Sequence, residues 1–439
     1  MDRPNIILIV ADTMRRDAIG IYNKNVSTPN IDALARDSMV YNNAISPSSW
    51  TVPSHASIFT GKYAIEHGLH ETFDKKGFDL MGKMNDVKYE TIAEVLLKSH
   101  YNTYGISANP NLIPGSGFDR GFNLFTYCPV NYYYDLLKKE LKNIEFKESK
   151  IKAMVDYFSA NGLKNSIDLI KLYKLQKYNS FSIPKRVKSP YNKGGFNIVN
   201  NIANISIGTP FFLFINFMEM HDPYISINNS HEPNSVENLV FLKKNRLKVL
   251  NKISKKYYQQ ANFLDTYIGN VIEFLKQNEI YDKTYIIFTS DHGQSITEDF
   301  YGHGTLLTDD LIKVPLIVKG IANEKREIND VISTINIFDM IVKITKNEAF
   351  INNNPIAFSE SFGIMYDNAL KYPKRKETSR IAIFKDGYKL SIDGNLNVEE
   401  FKYLNNNLDL EKNLNIQTCL MEDIYMHLGN ELNNFLHIS

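Results

Sequence analysis

The sequence predicts an α/β protein: a central, mostly parallel sheet covered by helices on both faces, with a smaller unit of antiparallel strands towards the C-terminus. Three observations carry this expectation. Short β-branched and aromatic runs are apolar without alternation, the pattern of strands buried on both faces. Segments with helical apolar spacing lie between them, as crossovers between parallel strands require. After residue 320 the pattern changes to short runs joined by a tight turn. The 439 residues correspond to roughly two to three units of about 150 residues, or to one elaborated α/β domain with an appendage.

The elements follow in order. A first strand is expected at 5–10, where Ile6-Ile7-Leu8-Ile9-Val10-Ala11 stops at Asp12. That run is too short for a signal peptide or a membrane span. Helical spacing follows at 31–38. The segment from Ser49 to Gly61 places Thr51, Pro53 and Ser54 at its start, residue types suited to the first turn of a helix. A helix is expected at 89–97 and a strand at 103–107. Residues 131–193 stand apart, with 14 Lys and Arg against 6 Asp and Glu. Helical apolar spacing at Ile151, Met154, Val155 and Phe158 makes them a basic helical insert. It is either a solvated face or a lid that attracts an anionic substrate, with peripheral membrane contact as a further option. Strands at 211–217, 285–289 and 314–318 and a helix at 257–275 complete the pattern. Runs at 380–384 and 388–392 flank Lys385-Asp386-Gly387, a hairpin with Asp-Gly at its turn.

Composition excludes other classes. A hydrophobic fraction of 43% and a charged fraction of 23% do not describe a disordered chain. Lys and Arg total 50 against 49 Asp and Glu, so no nucleic-acid partner is expected. Two cysteines, Cys128 and Cys419, build neither a disulfide framework nor a four-cysteine zinc site. Free thiols in the cytoplasm are expected.

The chemistry gathers where the strands end. Asp12 follows the first run, His221 follows 211–217, and Asp291 and His292 follow 285–289. In open parallel sheets ligands bind beyond the carboxyl ends of the strands. Carboxylates and imidazole delivered there suit a divalent metal, although an Asp after a strand is also a common helix cap. Beside Thr51, free N–H groups and the positive end of a helix favour an anion. A divalent cation would favour the threonine alkoxide and neutralise a phosphoryl or sulfuryl group. The alternative is a capped helix with a small-residue packing face.

The ordered motifs resemble the sulfatase branch of the alkaline phosphatase superfamily. Residues 5–17, ending Ala11-Asp12-Thr13-Met14-Arg15-Arg16-Asp17, are similar to that family's opening strand and metal-binding loop. Thr28-Pro29-Asn30-Ile31-Asp32-Ala33-Leu34-Ala35 is similar to its next helix. Thr51-Val52-Pro53-Ser54-His55, with Thr60-Gly61 downstream, has the spacing of the signature Cys/Ser-x-Pro-x-Arg. Gly117-Phe118-Asp119-Arg120-Gly121-Phe122, Ser290-Asp291-His292-Gly293, Gly302-His303-Gly304-Thr305 and Asp386-Gly387-Tyr388-Lys389-Leu390 extend the match across most of the chain except 131–193. The resemblance implies a three-layer alkaline-phosphatase-like fold, with a catalytic α/β domain over 1–340 and a smaller α+β unit over 341–439.

The departures bear on the chemistry. Thr51 stands where a sulfatase oxidises Cys or Ser to formylglycine, so no formylglycine is expected. His55 replaces the signature Arg, and Thr13 replaces a second Asp. Thr-x-Pro-x-His is similar to the nucleophile segment of phosphodiesterase relatives, which use an unmodified Thr. Single-metal relatives such as phosphonate monoester hydrolases imply Asp12, Thr51, Asp291 and His292 as ligands of one divalent metal ion, Mn, Zn, Ca or Mg. In the implied mechanism Thr51 attacks a phosphoester through a covalent phosphothreonine, while His221 and His303 act at the leaving oxygen. His55 and Asn109 are candidate substrate contacts, and His67 a structural histidine. The substrate is expected to be an anionic small-molecule, glycan or lipid ester. Alternatives are a sulfuric ester hydrolase without formylglycine, a phosphoglycerol-type transferase, and a catalytically degenerate glycan-binding protein.

Overall fold

Seven consecutive buried residues form the first strand, β1 (Asn5–Ala11). Their side chains divide between two cores: Ile7, Ile9 and Ala11 enter one, while Ile6, Leu8 and Val10 enter the other. A strand whose two faces are both covered cannot alternate apolar with polar residues, which is why this run is apolar throughout. The fold is that of a computed structural model describing residues 3–70, 80, 82–128, 192–222, 224, 246–321, 325–363, 378–404 and 410–437. The expected basic insert at 131–193 falls outside the described residues except for its last two.

The remaining strands of the large sheet are β2 (Met39–Ile45), β3 (Asn102–Ser107), β4 (Leu124–Tyr127), β5 (Phe211–Phe217) and β6 (Thr284–Thr289). After the small hairpin β7 (Ser295–Ile296) and β8 (Tyr301–Gly302) come β9 (Lys313–Lys319) and β10 (Arg326–Ser333). The sheet order is β10-β2-β9-β6-β1-β5-β3-β4. β1 runs parallel to β5 and β6, and β3 parallel to β4 and β5. β9 is antiparallel to both β2 and β6. Because it separates two strands of like direction, the carboxyl ends of β1, β2, β3, β5 and β6 share one edge.

Helices cover both faces, giving three layers. Pro29–Arg36, Gly195–Asn204 and Arg246–Gln277 supply Ile31, Ile198 and Leu264 to the first core. Thr51–Thr60, Ile92–Lys98 and Asn336–Thr345 supply Ile58, Leu96 and Ile341 to the second. Among the described residues no helix is long and apolar enough to cross a membrane.

A separate antiparallel sheet follows, β11 (Ile356–Ser361), β12 (Arg380–Lys385), β13 (Tyr388–Asp393) and β14 (Val398–Tyr403), paired in chain order. Its expected hairpin is present. Asp386 and Gly387 have φ of 52° and 81°, the left-handed pair that a tight primed turn demands and that Asp-Gly suits. β12 shows true alternation: Ile381 and Ile383 pack with Ile424 and Leu428 of the helix Leu410–Leu428. Ala382 and Phe384 point the other way, onto Leu307, Leu311 and Ile312 beside the large sheet.

Candidate active site

Asp12 is the residue after β1, and its backbone N–H donates to Phe217 O at 2.9 Å, carrying the parallel ladder past the strand end. Asp291 and His292 emerge from β6 next to it. β2 ends at Ile45, and Ser46–Trp50 turn the chain into the helix Thr51–Thr60. That helix has no side-chain cap at its start and all ten of its residues are buried. Its first N–H groups therefore have no intrahelical acceptor. Pro53 sits in the first turn, where its missing N–H costs nothing.

These elements converge. Ligand-type atoms of Asp12, Asp291 and His292 lie within 4.8 Å of one another, and all three residues are buried. Thr51 Oγ1 donates to Asp12 Oδ2 at 3.4 Å and lies 3.4 Å from His292 Nε2. His292 Nδ1 is 2.8 Å from Gly293 O. A carbonyl only accepts, so Nδ1 carries the proton and the Nε2 lone pair is left for the site. Asp291 is held more tightly. Its Oδ1 accepts from Thr13 N at 3.1 Å and His292 N at 2.8 Å. Its carbonyl accepts from Ser54 Oγ at 2.6 Å and also from Ser46 Oγ.

The polar accounting leaves two gaps. Buried Asp12 Oδ1 and Asp291 Oδ2 accept no hydrogen bond. A buried carboxylate oxygen without a donor is costly. Burial, reinforced by the charge of Asp291, pushes Asp12 up to about 6. Burial likewise pushes Asp291 up to about 7 against the backbone N–H groups that lower it. Two orphaned oxygens facing a neutral imidazole lone pair are the donor set a divalent cation needs, so the residues present fit the expected metal.

Both expected substrate contacts, His55 and Asn109, lie at the site and form hydrogen bonds within it. His55 belongs to the helix Thr51–Thr60. It is wholly buried, Nδ1 donates to Thr51 O at 3.0 Å and Nε2 accepts from Asn216 Nδ2 at 3.3 Å. One turn after Thr51 on a fully buried helix, its ring faces the sheet, edge-on to Phe59, Phe118 and Phe214. His55 Nδ1 also lies 3.4 Å from Asp291 Oδ2, which makes it a support for two site residues. Asn109 likewise has an internal partner, donating from Nδ2 to Asp12 Oδ2 at 2.5 Å.

His221 and His303 meet over the cluster, with ring centroids 5.0 Å apart, and the His303 ring is 4.8 Å from that of His292. His221 Nδ1 lies 2.9 Å from Asp222 Oδ1. Burial alone would lower its pKa, but the charge and hydrogen bond of Asp222 outweigh burial and raise it to about 9. His303 Nδ1 donates to Gln294 Oε1 at 2.7 Å. β7 and β8 pair Ser295 with Gly302, which brings Gln294 and His303, the flanking residues, together. His67 binds Ser57 Oγ through Nε2 at 3.0 Å and accepts from Leu69 N at 3.0 Å.

Sequence reasoning missed Asn216, Asp222 and Gln294. Asn216 had a readable signal: it is the sole polar residue of β5, and a polar group in a fully buried strand requires a partner. Gln294 had none, because only the hairpin reveals its neighbour.

Comparison with known proteins agrees with this geometry. The family model described as Sulfatase matches residues 4–347. The Escherichia coli (strain K12) protein named "Uncharacterized sulfatase YidJ" is 23% identical over 383 residues, covering 84% of this chain and 73% of that one. An endo-4-O-sulfatase of Bacteroides thetaiotaomicron is 24% identical over 333 residues, 67% of this chain and 59% of its own length. Among solved structures, a phosphonate monoester hydrolase from Silicibacter pomeroyi superposes with a TM-score of 0.65 at 16% identity, covering 97% of this chain and 95% of that one. A 2-O GAG sulfatase gives 0.67 at 13% identity, with 99% and 94% covered. With the matched region running from β1 through the whole large sheet, the chain belongs to the Sulfatase family of ester hydrolases, within the alkaline phosphatase superfamily.

Proposed function

We propose that this protein is a metal-dependent hydrolase of anionic phosphoesters in which unmodified Thr51 is the nucleophile. The observation that carries the reading is the position of Thr51 Oγ1. It heads an uncapped helix, 3.4 Å from both Asp12 Oδ2 and His292 Nε2. Oxidation of a threonine hydroxyl yields a ketone, not the aldehyde of formylglycine, so the hydroxyl itself is the group available for attack. Asp12, Asp291, His292 and Thr51 would hold one divalent cation, which favours the alkoxide and neutralises charge on a non-bridging ester oxygen.

The chain's own groups do the rest. Asp12 Oδ2 stands to receive the Thr51 proton as the Thr51 oxygen–phosphorus bond forms. His221, charged through Asp222, donates a proton to the leaving oxygen as the phosphorus–oxygen bond breaks. The neutral imidazole left behind then takes a proton from the water that attacks the phosphothreonine, and Asp12 returns its proton to the Thr51 oxygen as the Thr51 oxygen–phosphorus bond breaks. His303, held through Nδ1 by Gln294, stands with its ring 5.0 Å from that of His221. Free Cys128 and Cys419 support a cytoplasmic setting, and the catalytic unit is proposed to span 1–340 with 341–439 as its companion.

A sulfuric ester hydrolase using Thr51 directly is the second reading, favoured by the names of the relatives. Assaying aryl phosphate, phosphodiester, phosphonate and sulfate substrates with each divalent metal separates the two. Phosphorus esters are expected to turn over fastest, and Thr51→Ala to lose all activity. Sulfate turnover exceeding every phosphorus ester would reject the first reading.

A further inference from the structure

His303 reaches the site on a segment that its own sequence does not shape. Thr305 has φ of 77°, a left-handed conformation strained for a β-branched residue and kept only where the surroundings impose it. One side of the segment is tied to the site: Gly304 N donates to Ser49 O and Gly293 N to Leu311 O, each at 2.7 Å. The other side is tied to the C-terminal sheet. Arg380 Nη1 donates to Thr305 O at 3.5 Å and Thr378 O at 3.2 Å. Lys389 Nζ, with its side chain fully buried, donates to Leu307 O at 2.7 Å and lies 2.9 Å from Asp309 Oδ1 and 2.5 Å from Glu400 Oε2.

For stability alone an apolar side chain would serve here as well as a buried ion pair. What the ammonium adds is direction, since three donors fix a carbonyl on one side of the segment and a carboxylate four residues before Lys313 on the other. Leu306, Leu307, Leu311 and Ile312 pack against Ala382 and Phe384 of the same sheet, so the contact is continuous and not a single bond.

We propose that Lys389, assisted by Arg380, is a positioning residue for the reaction: the C-terminal sheet holds the 303–309 segment so that His303 stands beside His221 and His292. The proposal rests on the reading of His303 as a group that faces substrate.

A double-mutant cycle tests it on the best phosphoester substrate, using Lys389→Met, Lys389→Arg, His303→Ala and the Lys389→Met/His303→Ala pair. Lys389→Met is expected to lower kcat by roughly a hundredfold, the loss that a displacement of about 1 Å brings, with KM changed by less than about twofold. Lys389→Arg, which keeps a cation and a donor, recovers part of the loss. The double variant is no slower than His303→Ala alone, because Lys389 acts through a group already removed. Multiplying losses in the double variant, or equal losses in both Lys389 variants, would overturn the proposal while leaving the His303 reading intact. Unchanged kcat in His303→Ala would overturn that reading and the proposal together. If Lys389→Met does not fold, Arg380→Gln carries the same cycle. Histidine ring nitrogen NMR shifts provide a readout without turnover: the His303 signals move in the Lys389 or Arg380 variant, and unchanged signals contradict the proposal.

Discussion

At the scale of single residues, the site is a set of buried polar groups whose partners fix their protonation. Asp222 is what separates His221 from the other histidines, because it opposes the desolvation that lowers His55 and His292 to about 4. An acid catalyst works only while it holds its proton. Activity that depends on His221 is therefore present below its pKa of about 9 and lost as pH rises through that value. The kcat/KM profile is expected to fall on its alkaline side near pH 9, and Asp222→Asn to move that fall to lower pH. An alkaline limb unmoved in Asp222→Asn would remove His221 as the acid. The places of Asp12, Thr51, Asp291, His292 and His221 were legible because strand ends and a helix start put chemical residue types at one sheet edge. His303 was legible only through the family motif Gly302-His303-Gly304-Thr305. The direction of the His55 ring was not legible, since helical spacing places it on the face of Thr51 and only packing shows which neighbours that face meets.

Among the elements, β1, β3, β5, β6, β9 and the hairpin β12–β13 were readable, and others, β2 and β10 among them, were not. β1, β5 and β6 need no alternation because both faces are covered, so an apolar run is itself the signal. β2 contains Asn42 and Asn43, and the edge strand β10 reads Arg-Glu-Ile-Asn-Asp-Val-Ile-Ser. Neither offers such a run. The antiparallel course of β9 was also hidden, because an apolar run has no direction. The expected helix at 257–275 proved to be the inner part of Arg246–Gln277. Close backbone approach decides one glycine beyond doubt of its role: a Cβ at Gly293 would sit 2.0 Å from Asp310 O, a backbone atom. Gly293→Ala is expected to destabilise the fold by roughly 1–3 kcal/mol, as overpacking does. Denaturant unfolding checks this, and an unchanged midpoint would show that the Asp310 turn is not packed as described.

Across the whole molecule, two layers of helix and one large sheet bring distant segments to one edge, and the C-terminal sheet braces the side that carries His303. A site with two orphaned carboxylate oxygens gains stability from a cation bound only by the folded state. At a free metal concentration of about a hundred times Kd that gain is roughly 2.7 kcal/mol. Thermal unfolding is therefore expected to shift upward with the preferred divalent metal, and the shift to vanish in Asp12→Asn. A metal-induced shift of equal size in that variant would place the ion elsewhere. The near-neutral net charge of +1 is compatible with an anionic substrate, since a metal and a helix start attract an anion locally.

The central claim is that Thr51 itself forms the covalent bond. Rapid quenching during turnover of a phosphoester, followed by mass spectrometry of the peptide containing residue 51, tests it most directly. The account predicts one phosphoryl group on otherwise unmodified Thr51, absent in Thr51→Ala. An oxidised residue 51, a phosphoryl group on another side chain, or turnover that persists in Thr51→Ala would contradict it.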